Sequence, residues 1–96
     1  MPSYQVTIQF EVSDAFMQLV PPHRVYINSL INKGIIEHYA VSMEVQKAWI
    51  TMNAKDKKEI QKFLQKSPLY PFWDLVINEI FVLDGQQYRL PEVNPN

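Results

Sequence analysis

The chain contains no cysteine, and that single absence removes several chemistries at once. No disulfide framework, thiolate metal site or cysteine nucleophile can be built from it. Glycine is nearly as scarce, with two among 96 residues. A glycine-rich loop for phosphate therefore cannot exist, and nucleotide chemistry is not expected. Charge of one sign is missing too, since nine Lys and Arg stand against ten Asp and Glu. That balance leaves no basic field for nucleic acid. No apolar run reaches the length needed to span a bilayer. Met1-Pro2-Ser3-Tyr4 lacks the charged segment and apolar run of a signal peptide. The expectation is a soluble cytoplasmic protein.

What is present points to a packed domain. Hydrophobic residues make up 47% of the chain and charged residues 20%, a composition that favours folding over disorder. Residues 1–96 fit one domain. A chain this short buries a modest fraction of its surface, so a partner chain is a natural cover for one further apolar face.

Tyr4 to Val12 alternates apolar and polar residues, which predicts a strand with one face in the core. Ser13 and Asp14 end it, and Ala15–Val20 reads as a short helical turn capped by Asp14. Pro21-Pro22 then punctuates the chain. Tyr26, Ile27, Leu30 and Ile31 recur at helical spacing up to Gly34, predicting a first helix from about Pro22 to Lys33. Ile35 to Ser42 is a second strand, with Ile35, Glu37, Tyr39 and Val41 on one face and Ile36, His38, Ala40 and Ser42 on the other. Met43–Gln46 is a turn, and Lys47–Ala54 a third strand.

A second helix begins at Asn53 or at Lys55-Asp56. Ile60, Phe63 and Leu64 form its buried stripe, and its lysines read as a solvated face. Ser67–Phe72 is an aromatic loop, and Trp73–Leu83 a fourth strand that is apolar on both sides. Asp84-Gly85 is a hairpin signal, so residues 84–96 read as a hairpin and tail extension. Strand, helix, strand, strand, helix, strand is the ferredoxin-like α+β plan, with a four-stranded antiparallel sheet covered by both helices on one side. A second apolar face on the fourth strand calls for stacking of two such sheets in a homodimer.

The run Leu64-Gln65-Lys66-Ser67-Pro68-Leu69-Tyr70-Pro71-Phe72-Trp73-Asp74-Leu75 resembles the muconolactone isomerase-like family of dimeric α+β barrels. It matches the family's helix end, its Pro-Leu-aromatic-Pro-aromatic turn and the following strand. Gly34, His38 and Trp49–Ala54 extend the resemblance upstream, over about Phe10 to Leu83. His23 and Gly34 are also similar in placement to the histidine and glycine of YciI-like proteins. This chain departs from the isomerases at His23, where they carry an acid, and at Glu37, where they carry an arginine. Met43-Glu44-Val45 replaces their glycine-containing loop.

The resemblance implies a cofactor-independent isomerase that shifts a proton in a lactone or similar small carbonyl compound. It also implies a homodimer able to associate further. His23, in the first turn of the predicted helix, is the candidate base, kept neutral by the positive helix start. Glu37 and Tyr39, on one strand face, are the candidate assisting pair. His38, Trp49, Tyr70, Phe72 and Trp73 are the candidate substrate contacts. Two histidines fifteen positions apart and scattered acids make no metal site. Ser13, Ser29, Ser42 and Ser67 stand in no nucleophile motif. Two readings stay open: such an isomerase, or a non-enzymatic module of the same fold that binds a small ligand or serves assembly.

Overall fold

A computed structural model describes residues 1–85. The element order is β1 (Ser3–Phe10), α1 (Asp14–Asn32), β2 (Ile36–Ser42), β3 (Lys47–Asn53), α2 (Lys57–Gln65), a 3-10 turn (Tyr70–Phe72) and β4 (Trp73–Ile80). The strands form one antiparallel sheet in the order β2-β3-β1-β4. This is the ferredoxin-like α+β arrangement, with the first and third strands at the centre.

Alternation in β1 sets the register of the whole sheet. Tyr4, Val6, Ile8 and Phe10 are buried under the helices. Opposite them stand Met52, Ile50 and Ala48 of β3, and Ile77, Leu75 and Trp73 of β4. Ile27 and Leu30 of α1 and Ile60 and Leu64 of α2 close the core from above. Tyr26 Oη ties the two helices together by donating to the Phe63 carbonyl at 2.6 Å.

Helix α1 starts earlier than its prolines imply. Ser13, not Asp14, is the N-cap, and its Oγ accepts from the Phe16 N–H at 3.1 Å. The helix then runs unbroken through Pro21 and Pro22. Each proline lacks the N–H that a helix residue donates four positions back, so the Met17 and Gln18 carbonyls lose those donors. Both prolines sit on the exposed side, while Phe16, His23, Ile27 and Leu30 hold one continuous buried stripe across the interruption. Packing of that stripe outweighs the local penalty. At the other end, Gly34 (φ +77) closes the helix. Its N–H meets the Ile31 carbonyl and the Ile35 N–H reaches back to Leu30, each at 3.0 Å, a Schellman closure that needs a left-handed residue.

Strand β2 departs from strict alternation. Ile36 pairs with Met52 but His38 pairs with Thr51, so Glu37 is an extra residue in a bulge. Strand β1 stops at Phe10 rather than Val12, and β4 stops at Ile80 rather than Leu83. Phe81 and Val82 are exposed. Gly85 is the last described residue, so the rest of the expected hairpin and tail, residues 86–96, lies outside the described residues. No helix among the described residues is long and apolar enough to cross a membrane.

Candidate functional site

The bulge decides what reaches the interior. After Glu37 the phase of β2 shifts, so Tyr39 pairs with Ile50 on the helix-covered side. There it meets His23, which hangs from the middle of α1 and is only 1% exposed. His23 Nε2 lies 2.8 Å from Tyr39 Oη, and Nδ1 lies 2.6 Å from Ser67 Oγ. Ser67 is itself buried and accepts from the Leu69 N–H at 3.1 Å. Three side chains from a helix, a strand and a loop thus form one hydrogen-bonded row.

The row ends at a cavity of about 180 Å³ between α1 and the sheet. That is close to the size of an apolar cavity that admits a benzene ring. Phe10, Phe16, Val20, Ala48, Leu69 and Trp73 wall it, and His23, Arg24 and Tyr39 are its polar contributors. Ala48 stands beside Val41 and Ile8 across the sheet, and its small side chain leaves the room. Met17, Val41 and Met43 border the cavity and are exposed. The Trp73 ring meets His23 edge-on with centroids 5.5 Å apart.

Electrostatics keep the row neutral. Burial, and behind it the Arg24 cation, lowers the pKa of His23 from 6.5 to about 4. The direction matches the sequence expectation but the cause does not. His23 sits well inside α1, so desolvation replaces the helix start as the reason. Burial likewise raises the Tyr39 pKa, with Arg24 pulling partly the other way. The Arg24 guanidinium lies 5.1 Å from the Tyr39 ring centroid. At neutral pH the imidazole and the phenol are therefore both uncharged, beside one fixed positive charge.

Of the residues singled out in the sequence, His23, Tyr39 and Trp73 come together. The other five stand elsewhere. Glu37 does not share a face with Tyr39, because the bulge turns it aside. Its Oε1 accepts from Asn53 Nδ2 at 2.6 Å, and Asn53 Oδ1 accepts from Ser3 Oγ at 2.7 Å. His38 pairs with Thr51, and Trp49 with Thr7 and Ala40, all on the sheet face away from the helices. Phe72 packs edge-on against Phe16 and borders a separate groove with Glu11, Glu44 and Asp74. Tyr70 packs on Trp73 at 6.2 Å. Aromatic content in the loop therefore marked support for the cavity rather than its lining.

Sequence reasoning missed Ser67 and Arg24. Ser67 follows the end of α2, where its backbone N–H bonds the Leu64 carbonyl. Only the tertiary approach of α1 aligns it with His23, 44 positions away. Arg24 adjoins His23 in the sequence, and that adjacency was a usable signal. Among the described residues no group of three or more His, Asp or Glu side chains is placed to hold a metal ion.

Comparison with known proteins places this architecture. The fold is that of the α+β proteins built like muconolactone isomerase. A crystal structure of muconolactone isomerase superposes with a TM-score of 0.72 at 14% identity, over 94% of this chain and 99% of that one. A second solved structure is the 5-chloro-2-hydroxyhydroquinone dehydrochlorinase from Burkholderia phenoliruptrix AC1100 in complex with 2,5-dihydroxybenzoquinone. It superposes at a TM-score of 0.58 and 9% identity, over 78% of this chain and 90% of that one. No protein-family model and no curated protein matches the chain in sequence. At these identities the likeness is one of fold.

Proposed function

We propose that the chain takes a small, mostly apolar carbonyl compound of the unsaturated-lactone kind into the His23–Tyr39 cavity and shifts a proton within it, without a cofactor. The observation that carries this reading is the row Ser67–His23–Tyr39, which delivers a hydroxyl to an apolar cavity of single-ring size. Desolvated polar groups aimed into such a cavity act on a bound oxygen far more strongly than they do in water.

The reaction follows from those groups. The carbonyl oxygen sits at the Tyr39 hydroxyl, near Arg24. Charge drawn onto that oxygen makes hydrogen on the neighbouring carbon more acidic. That proton passes to water at the cavity mouth, and one returns to a carbon two atoms away, so no atom or electron is gained or lost. His23 has both nitrogens engaged, and it acts by holding Tyr39 rather than by touching the carbon. Among the proteins of similar fold, the muconolactone isomerase suggests the substrate class, and the benzoquinone held by the other is likewise a small ring with carbonyl oxygens.

One observation favours a second reading, a binding module with no turnover. Among the described residues no carboxylate lines the cavity, and a strong protein base is not among them. Deuterium exchange decides between them. Unsaturated lactones incubated with the protein in D2O and followed by proton NMR should exchange hydrogen beside the carbonyl faster than in buffer. Tyr39→Phe should reduce that excess rate by about 10²-fold or more. Binding without any excess exchange would establish the module reading.

We also propose that the working form is a homodimer in which two sheets stack through the faces turned away from the helices. Val76, 58% exposed on that face, would be covered there.

A further inference from the structure

The buried serine determines which way the row is polarised. Ser67 Oγ carries one hydrogen, and it already accepts from the Leu69 N–H. Among the described residues its other hydrogen-bonded neighbour is His23 Nδ1, at 2.6 Å. Ser67 is 3% exposed, so its hydroxyl hydrogen has no outlet to bulk water, and a buried hydroxyl left without an acceptor is costly. The hydrogen therefore goes to Nδ1. A neutral imidazole has one bare nitrogen and one N–H, so the proton of His23 is on Nε2. That N–H points at Tyr39 Oη, 2.8 Å away, and fills an acceptor position of the phenol. The Tyr39 hydrogen is then directed away from His23, toward the cavity.

We infer that His23 is held as the Nε2–H tautomer by Ser67, and that the polar side chains described around the cavity consequently offer donors, the Tyr39 hydroxyl and the Arg24 guanidinium, to a small ring compound bearing an unprotonated oxygen. Carbonyls and carboxylates share that chemistry, and amines lack it. Tyr39 is the group that touches the ligand. His23 and Ser67 are positioning residues, each acting through its neighbour. This deepens the proposed function by assigning the direction of the hydrogen bonds and the ligand class at the same site. It stands apart from turnover, because tautomer and binding preference are read without any reaction.

The test uses the full, unmodified chain labelled with nitrogen-15. Long-range proton–nitrogen spectra at pH 7, with His23→Gln to assign the signals, should show a protonated Nε2 and a bare Nδ1. A protonated Nδ1 overturns the inference. Ser67→Ala removes the hydrogen that selects the tautomer, and a measurable Nδ1–H population should then appear. Persistence of pure Nε2–H in that variant overturns the role of Ser67.

Benzoate, benzaldehyde and benzylamine share one ring and separate the ligand classes. Titrations followed by NMR should show binding of benzaldehyde, benzoate or both, weakened at least 10-fold by Tyr39→Phe, with benzylamine at least 10-fold weaker than the better of them. Equal binding of benzylamine, no binding of either oxygen compound, or indifference to Tyr39→Phe overturns the ligand class. Absent hydrogen exchange in unsaturated lactones would remove the proposed reaction and leave this assignment standing.

Discussion

Ile36 and Tyr39 face the same side of the sheet although three positions separate them, an odd interval that would set them on opposite sides of a regular strand. Ile36 stands opposite Met52 and Tyr39 opposite Ile50, both under the helices. The extra residue Glu37 supplies the half-step. Without it, the phase in which Ile36 enters the core would turn Tyr39 away from His23.

Glu37 serves the strand pairing and not the cavity. Glu37→Gln should keep an acceptor for Asn53 and alter unfolding stability by no more than about 1 kcal/mol. Benzaldehyde or benzoate binding and the imidazole spectrum of His23 should be unchanged. A loss of binding of 10-fold or more would place the carboxylate at the site after all.

Acid should weaken the fold through His23. With a folded pKa of about 4 against 6.5 for the free side chain, the unfolded chain holds a proton between those values that the folded chain refuses. Stability then rises with pH across that window and is lost as pH falls through it, by up to about 1.4 kcal/mol per unit. Urea unfolding at pH 4.5, 5.5 and 7 measures the slope. His23→Gln should flatten it, and an identical slope in that variant would assign the acid sensitivity elsewhere.

The paired prolines of α1 should be a weak point with a simple repair. Pro21→Ala/Pro22→Ala restores two N–H donors on an exposed helix face, where an interior proline costs roughly 3 kcal/mol relative to alanine. Loss of proline also loosens the unfolded chain, an opposing effect of about 0.4–1 kcal/mol each. The first effect is larger, so the double variant should melt several degrees higher by circular dichroism. A lower melting temperature would mean that the prolines set the entry of α1 in a way the alanines cannot reproduce.

Much of this fold is legible in the residues, and the failures have physical causes. Alternation in Tyr4–Phe10 and the stripe Ile60, Phe63, Leu64 read correctly because one period and one buried face governed each. Pro21 and Pro22 signal a helix start by local propensity, but the buried stripe from Phe16 to Leu30 carries the helix through them. Glu37 was misplaced because no sequence pattern announces a bulge, and one inserted residue reverses every side chain after it. His23 was legible as a residue of interest, but its partners Ser67 and Tyr39 are joined to it only by tertiary packing.

Self-association can be tested at one residue. Val76→Lys places a charge on the outer face of β4 without touching the core side, where Ile77 and Leu75 lie. Light scattering coupled to size exclusion should show a dimer for the parent chain and a monomer, or a dimer weakened at least 10-fold, for the variant. A parent chain that is monomeric at micromolar concentration would sink the stacked-sheet proposal.

Strand order also governs when the molecule can first exist. β1 is made early, yet both of its neighbours, β3 and β4, come later, and Ser3 waits for Ile80 at the far end of the described chain. During synthesis the central strand β1 therefore waits with one edge open until β3 is made and the other until β4 is made. Closure of the sheet is a late and non-local event, slow compared with helix formation. Cells that make this chain would meet its hazard during synthesis, through misdirected pairing of that strand, more than in its mature life.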